Sequence, residues 1–210
     1  TTKSRFEPAP NMRLPCLAAL ALELGLSGCG TGSFGTPADG FDFPQIAQSY
    51  MPLHSRDWML GTHDGASVVI APGIGVTNAH NANLIDPKAV IGKVDGYDLL
   101  YFRTARSAVL PTAPVATGRN VIAYGQDANG KLRVSRGVIQ RLWPAAFGFI
   151  SDAGPGFSGG PVVDARTGAL LGITYGFKGD EDAKTRLMLA YDMAFVMGRL
   201  AAVQSRAAAQ

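Results

Sequence analysis

The sequence predicts an all-β fold closed by one C-terminal helix, on three observations. First, 26 glycines and 13 prolines in 210 residues are about 19% turn formers, against about 12% on average. Second, hydrophobic residues make up 47% and charged residues 17%, enough apolar material for a sizeable core and too little charge for a disordered chain. Third, from about residue 46 short apolar runs alternate with turn signals, the spacing of a barrel or sandwich. The net charge of +3 is not gathered into any basic run, so no nucleic-acid partner is expected.

Residues 14–26 (LPCLAALALELGL) form the first apolar run. It falls short of the roughly 20 residues that span a bilayer and fits the core of an export signal, although Glu23 interrupts it. Residues 30–45 (GTGSFGTPADGFDFPQ) carry the Gly, Pro, Ser and Asp of a linker. Strands are expected at 66–71 (ASVVIA, ended by Pro72-Gly73), 75–77, 89–92, 99–103, 121–124, 132–134, 137–142, 161–163, 169–174 and 187–190. Asn129-Gly130 is a strong hairpin turn between two of them. The Ala-, Met- and Leu-rich stretch 192–209 is expected to be the helix.

Three segments carry chemistry. Val76-Thr77-Asn78-Ala79-His80 follows a strand and a Pro-Gly turn; Tyr97-Asp98-Leu99-Leu100-Tyr101-Phe102 opens an apolar strand with an acid. The third is Gly154-Pro155-Gly156-Phe157-Ser158-Gly159-Gly160-Pro161-Val162. A serine hydroxyl is a poor nucleophile unless a base takes its proton, and the base needs a carboxylate to fix its tautomer. Glycines around a serine let the chain turn sharply and aim backbone N–H groups at a developing oxyanion. Residues 156–160 also fit the G-x-S-x-G elbow of α/β-hydrolases, but His54, His63 and His80 all precede Ser158, leaving no downstream base. His54 and His63 carry no motif and read as surface residues. Asp98 lies 18 residues after His80, with Asp86 and Asp95 as rivals for the acid. No His/Cys cluster has metal-ligand spacing, so neither metal nor cofactor is expected.

In that order His80, Asp98 and Ser158 resemble the catalytic triad of the chymotrypsin-like (trypsin-fold) serine peptidases. Gly-Phe-Ser-Gly-Gly-Pro-Val resembles their nucleophile motif and Thr-Asn-Ala-His their histidine motif. The likeness is to bacterial members, such as glutamyl endopeptidases and the protease domain of high-temperature-requirement peptidases, and extends over about residues 60–200. It implies two antiparallel barrels of the six-stranded type, at 46–114 and 115–190, with the helix completing a second unit to residue 210. It implies an endopeptidase in which Gly156 and Ser158 supply the oxyanion N–H groups. Thr174, Tyr175 and Gly176 would pair with an extended peptide substrate. Asp152, six residues before Ser158, stands where trypsin-like enzymes place the acid that selects Arg or Lys, but bacterial relatives carry an Asp-Ala pair near here for structural reasons, and that structural role is the one expected. Phe157 departs from the family, which usually has Asp or Asn there; an activating salt bridge to a freed N-terminus is therefore not expected.

Leu26-Ser27-Gly28-Cys29 resembles the lipobox of bacterial lipoproteins. The resemblance implies that residues 1–28 are an upstream segment and signal peptide and that Cys29 carries the lipid. Residues 29–45 would then be a flexible tether, and Gly30 after the cysteine favours the outer membrane, facing the periplasm. Cys16 is the other cysteine, and a Cys16–Cys29 bridge is the alternative if nothing is cleaved. The functional expectation is a serine endopeptidase of the bacterial cell envelope acting on peptides or proteins. The alternative, prompted by Phe157 and the short His–Asp spacing, is a catalytically silent trypsin-fold lipoprotein that binds peptides or an envelope partner. A histidine base must be neutral, so activity is expected to fall as pH drops below about 6.5 to 7.

Overall fold

Among the described residues twelve strands, a short helix, a 3-10 helix and a terminal helix follow one another. A computed structural model describes residues 34–57, 61–179 and 185–208. The elements are β1 (Thr36–Pro37), α1 (Pro44–Ser49), β2 (Tyr50–Asp57), β3 (Gly61–Ala71), β4 (Ile74–Thr77) and a 3-10 helix (Ala79–Leu84). Then come β5 (Val90–Lys93), β6 (Leu100–Arg103), β7 (Asn120–Gln126), β8 (Leu132–Trp143), β9 (Ala146–Ser151), β10 (Pro161–Asp164), β11 (Leu170–Lys178), β12 (Arg186–Asp192) and α2 (Met193–Ala208).

Among the described residues every pairing between the named strands is antiparallel, as short turn-punctuated runs favour, and one isolated parallel bridge joins Thr112 to Leu170. The second half forms the ring β8-β7-β10-β11-β12-β9, closed by a β8–β9 pairing. The length of β8 makes the closure work: its first part pairs with β7 and its last part with β9. The first half is a five-stranded sheet in the order β2-β3-β4-β6-β5, with β2 and β5 at its edges. The double-barrel fold class therefore holds, with one half closed on six strands and the other built from five.

Three apolar clusters follow from the alternation among the described residues, the smallest being Leu53, Ile85, Leu100 and Phe102 on the five-stranded sheet. Inside the ring Phe147, Phe149, Phe157, Ile139 and Leu171 are fully buried. A larger cluster, with Val68, Val76, Tyr101, Ile122, Tyr124 and Ile173, joins the sheet to the ring. Helix α2 buries Met193, Val196, Leu200 and Val203, a three-four spacing that lays one stripe on the protein. Asp192 caps it by accepting the Phe195 N–H at 2.7 Å, and the Tyr101 hydroxyl donates to Val196 O at 2.6 Å.

The structure differs from expectation in three places. Two strands, β2 and β9, went unanticipated. Residues 146–151 are apolar on both faces and carry Gly148, so no alternation marks them; β2 contains Pro52, which an edge strand tolerates. The segments 132–134 and 137–142 are one strand. The third difference corrects the tether: from Phe34 on, that segment is part of the fold. β1 pairs with β8 at Val134 and Arg133, Phe41 packs on Tyr50 and Tyr124, and Asp42 accepts from the Tyr124 hydroxyl at 2.9 Å. β1 covers the edge of β8 that β9 does not reach. Cys16, Cys29 and the apolar run 14–26 lie outside the described residues.

Candidate active site

His80 is delivered by a turn of 3-10 helix directly after β4, and Asp98 by the turn leading into β6. β4 and β6 are neighbours, paired from Ile74↔Arg103 to Thr77↔Leu100, so the ends of the two strands bring the side chains together. The His80 Nδ1 lies 2.6 Å from Asp98 Oδ2, and the His80 backbone N–H donates to Asp98 Oδ1 at 2.9 Å. Asp98 is fixed from behind: its carbonyl accepts from Asn78 Nδ2 at 2.9 Å and its N–H donates to the Tyr191 hydroxyl at 3.0 Å. Burial pushes the Asp98 carboxyl up, but hydrogen bonds from the His80 ring, the His80 N–H and the Ala79 N–H outweigh it and hold it below the usual carboxylate value. The rival acids are engaged elsewhere. Asp86 caps its own turn through the Lys88 N–H, and Asp95 pairs with Arg206 on α2.

Ser158 arrives from the closed ring on two consecutive tight turns. The first, residues 154–157, has Pro155 second and Gly156 third with φ +89°, and is closed by the Phe157 N–H to Gly154 O at 3.1 Å. The second, residues 157–160, has Gly159 third with φ +81° and is closed by the Gly160 N–H to Phe157 O at 2.9 Å. A positive φ at the third position is the type II arrangement, which selects glycine. Among the described residues the N–H groups of Gly156 and Ser158 donate to no protein acceptor.

The serine turn is tied to the sheet that carries His80. Ser158 O accepts from the Ala66 N–H of β3 at 2.8 Å and from Asn81 Nδ2 at 3.1 Å, and Asn81 follows His80 directly. Asn81 is held by Thr77 Oγ1 at 3.0 Å, and Thr77 by Ala66 O at 2.7 Å. The backbone of Ser158 is thus tied to the sheet that carries His80 and Asp98, while no hydrogen bond joins the Ser158 hydroxyl to the His80 ring in this structure. On the other side of the turn, the Gly159 N–H donates to Thr174 O at 2.8 Å and Gly160 O accepts the Thr174 N–H at 3.0 Å. β10 pairs with β11 only as far as Ile173, so beyond Thr174 that edge of β11 has no strand partner among the described residues. Tyr175 sits at a bulge there and stacks on Tyr191 at 4.1 Å.

Phe157 is fully buried and fills the space over two glycines. A Cβ on Gly125 would come within 2.6 Å of its ring and one on Gly35 within 2.8 Å. Asp152 is engaged elsewhere: its carboxylate accepts from the Ser135 hydroxyl of β8. His54 pairs with Asp64 on the β2–β3 hairpin, and His63 is exposed. Among the described residues no three His, Cys, Asp or Glu side chains are placed to hold a metal. Asn81 and Tyr191 were not anticipated. Asn81 had one signal, adjacency to His80; Tyr191 reaches Asp98 across 93 positions, which no local pattern marks.

A family model described as a trypsin-like peptidase domain matches residues 66–173, just over half of the chain. No curated protein matches. Among solved structures, the HtrA-type protease AlgW with tripeptide superposes with a TM-score of 0.64 at 18% identity, covering 77% of this chain and 62% of that one. The serine endoprotease from Yersinia pestis gives 0.64 at 19% identity, covering 77% and 64%. The Rv3671c protease from M. tuberculosis, active form, gives 0.61 at 21% identity, covering 80% and 88%. At these identities the structural likeness concerns the fold, and the chain spans under two thirds of the first two proteins.

Proposed function

The chain belongs to the trypsin-like peptidase domain family, and from that premise we propose that it is a serine endopeptidase whose triad is Ser158, His80 and Asp98. The observation that carries the reading is the doubly hydrogen-bonded His80–Asp98 pair beside a glycine turn that presents Ser158. A carboxylate on Nδ1 keeps the proton there and leaves Nε2 free to accept.

The Ser158 hydroxyl oxygen attacks the scissile carbonyl carbon as His80 Nε2 takes its proton. The carbonyl electron pair moves onto oxygen, which the N–H groups of Gly156 and Ser158 stabilise. Collapse breaks the C–N bond; the amine leaves with the proton returned by His80, and an acyl-enzyme remains. Water repeats the sequence, activated by the same histidine, and releases the acid and free Ser158. The acyl side of the substrate lies as an added strand on β11 at Thr174, Tyr175 and Gly176, along the edge that opens beyond Thr174, whose own N–H and carbonyl are bonded to Gly160 and Gly159.

The test is labelling by a fluorophosphonate probe. Wild-type protein labels at Ser158, and Ser158→Ala abolishes both labelling and hydrolysis of a peptide library. A folded protein that never labels refutes the hydrolase and leaves a peptide-binding role. The same reading locates the enzyme in the cell envelope, lipid-anchored at Cys29, on the strength of the apolar run 14–26 and the sequence Leu-Ser-Gly-Cys. Incorporation of labelled palmitate that Cys29→Ala does not remove contradicts the anchor.

A further inference from the structure

The turn that offers the oxyanion N–H groups has a weak point. Types I and II of a β-turn differ by a flip of the central peptide. In residues 154–157 that peptide joins Pro155 to Gly156, and a flip would point the Gly156 N–H to the opposite side. Glycine at 156 makes either form accessible, so something outside the turn must choose.

The segment before α1 touches the turn on both sides of this peptide. Before it, the Phe34 ring lies over Gly154 so closely that a Cβ there would sit 2.5 Å from Phe34 Cδ1. After it, the buried Phe157 ring lies over Gly35. The Gly35 N–H also donates to Asp152 O at 3.1 Å, at the base of the loop. The segment is itself anchored. Arg133 on β8 donates to Phe34 O at 2.9 Å and Gly35 O at 2.5 Å, β1 pairs with β8, and the Ala38 N–H donates to Leu132 O at 3.2 Å. The Arg186 guanidinium stacks on Phe34 at 4.6 Å and on Phe177 of β11 at 4.8 Å, joining the segment to the substrate strand.

From these contacts we propose that Phe34 and Gly35 are positioning residues, a strap whose docking holds the Pro155–Gly156 peptide with its N–H toward the reacting carbonyl. The enzyme is competent when the strap is seated and loses its oxyanion hole, but not its fold, when the strap lifts. This rests on the hydrolase reading above.

The test uses the full chain carrying Phe34→Ala, Arg133→Met or Phe34→Tyr, with the wild type. A peptidyl boronic acid, whose tetrahedral adduct on Ser158 places an oxygen in the hole, is compared with a product peptide that needs only the β11 edge. Expected for Phe34→Ala and Arg133→Met are a fall of at least about tenfold in kcat and boronate affinity and unchanged product-peptide affinity. Amide hydrogen exchange should quicken at residues 154–158 with the β10 and β11 amides still protected. Phe34→Tyr, which keeps the ring, should restore both. A wild type that labels with the fluorophosphonate while both strap variants keep kcat and boronate affinity within about twofold overturns the strap alone. Exchange that rises uniformly also overturns it, because the segment is then general scaffold. A wild type inert to the probe removes the hydrolase reading and the strap with it.

Discussion

Replacing Asp98 by Asn tests the site at its most diagnostic atom. The carboxylate accepts twice from His80, from the ring at 2.6 Å and from the backbone at 2.9 Å. An asparagine of the same shape keeps one acceptor for the backbone N–H and turns its amide NH2 toward Nδ1. Nδ1 must then be the acceptor, so the ring proton moves to Nε2, the nitrogen required to receive the Ser158 proton. The wrong tautomer costs about 10,000-fold in kcat in triads of this kind, about 5.5 kcal/mol of barrier. The Asn78 and Tyr191 contacts to the Asp98 backbone survive the change, so the fold should stand and KM should move little. The assay is pre-steady-state acylation with a peptide ester, with melting and peptide affinity as controls. A folded Asp98→Asn enzyme within about tenfold of wild type would show that Asp98 does not set the tautomer, and the mechanism would be wrong.

Three further outcomes are expected. Tyr191→Phe removes the acceptor of the Asp98 N–H and should lower kcat about fivefold, a hydrogen bond of about 1 kcal/mol, with KM unchanged; equal kcat values refute it. Gly159→Ala forces a side chain into φ +81° against Ala66 O and Thr77 Oγ1 and should destabilise the protein by at least about 2 kcal/mol in urea titration. An unchanged midpoint contradicts the turn geometry. Acid should unfold the protein through its paired carboxylates. Burial opposes ionisation of Asp42, Asp98 and Asp164, yet hydrogen bonds and, for Asp42 and Asp164, arginines hold all three below the ordinary value. Folded values under the unfolded value of about 3.9 mean that their stabilisation is complete above that pH and is lost progressively as pH falls from there through the lower folded values. Melting temperature should therefore drop steeply below about pH 4, and a flat profile from pH 7 to 3 rules this out.

The turns that carry the candidate serine and histidine were legible because their surroundings are local: Asn-Ala-His follows a strand end, and Gly-Phe-Ser-Gly-Gly-Pro falls on two consecutive turns whose third positions are glycine. Asp98 was harder, since three aspartates stood within reach; the alternation of the strand that follows it favoured it, and the tertiary partners of Asp86 and Asp95 engage those two elsewhere. The hairpin at Asn129-Gly130 announced itself, with Gly130 at φ +76°. What stayed hidden depends on distant partners. Residues 34–42 have the composition of a linker because their order is supplied by Arg133, Tyr124 and Asp152, roughly a hundred positions away. β9 was concealed by being buried on both faces, which erases the period-two signal.

The unequal completion of the two halves bears on how the molecule fails when warmed. Ser158 is planted on a ring closed on six strands, whereas His80 and Asp98 stand on a five-stranded sheet whose outermost members, β2 and β5, each have one strand partner among the described residues. Fraying begins at such margins. Heat should therefore part the acid and base from an intact nucleophile turn, and catalysis should lapse, recoverably on cooling, several degrees before the ring itself gives way.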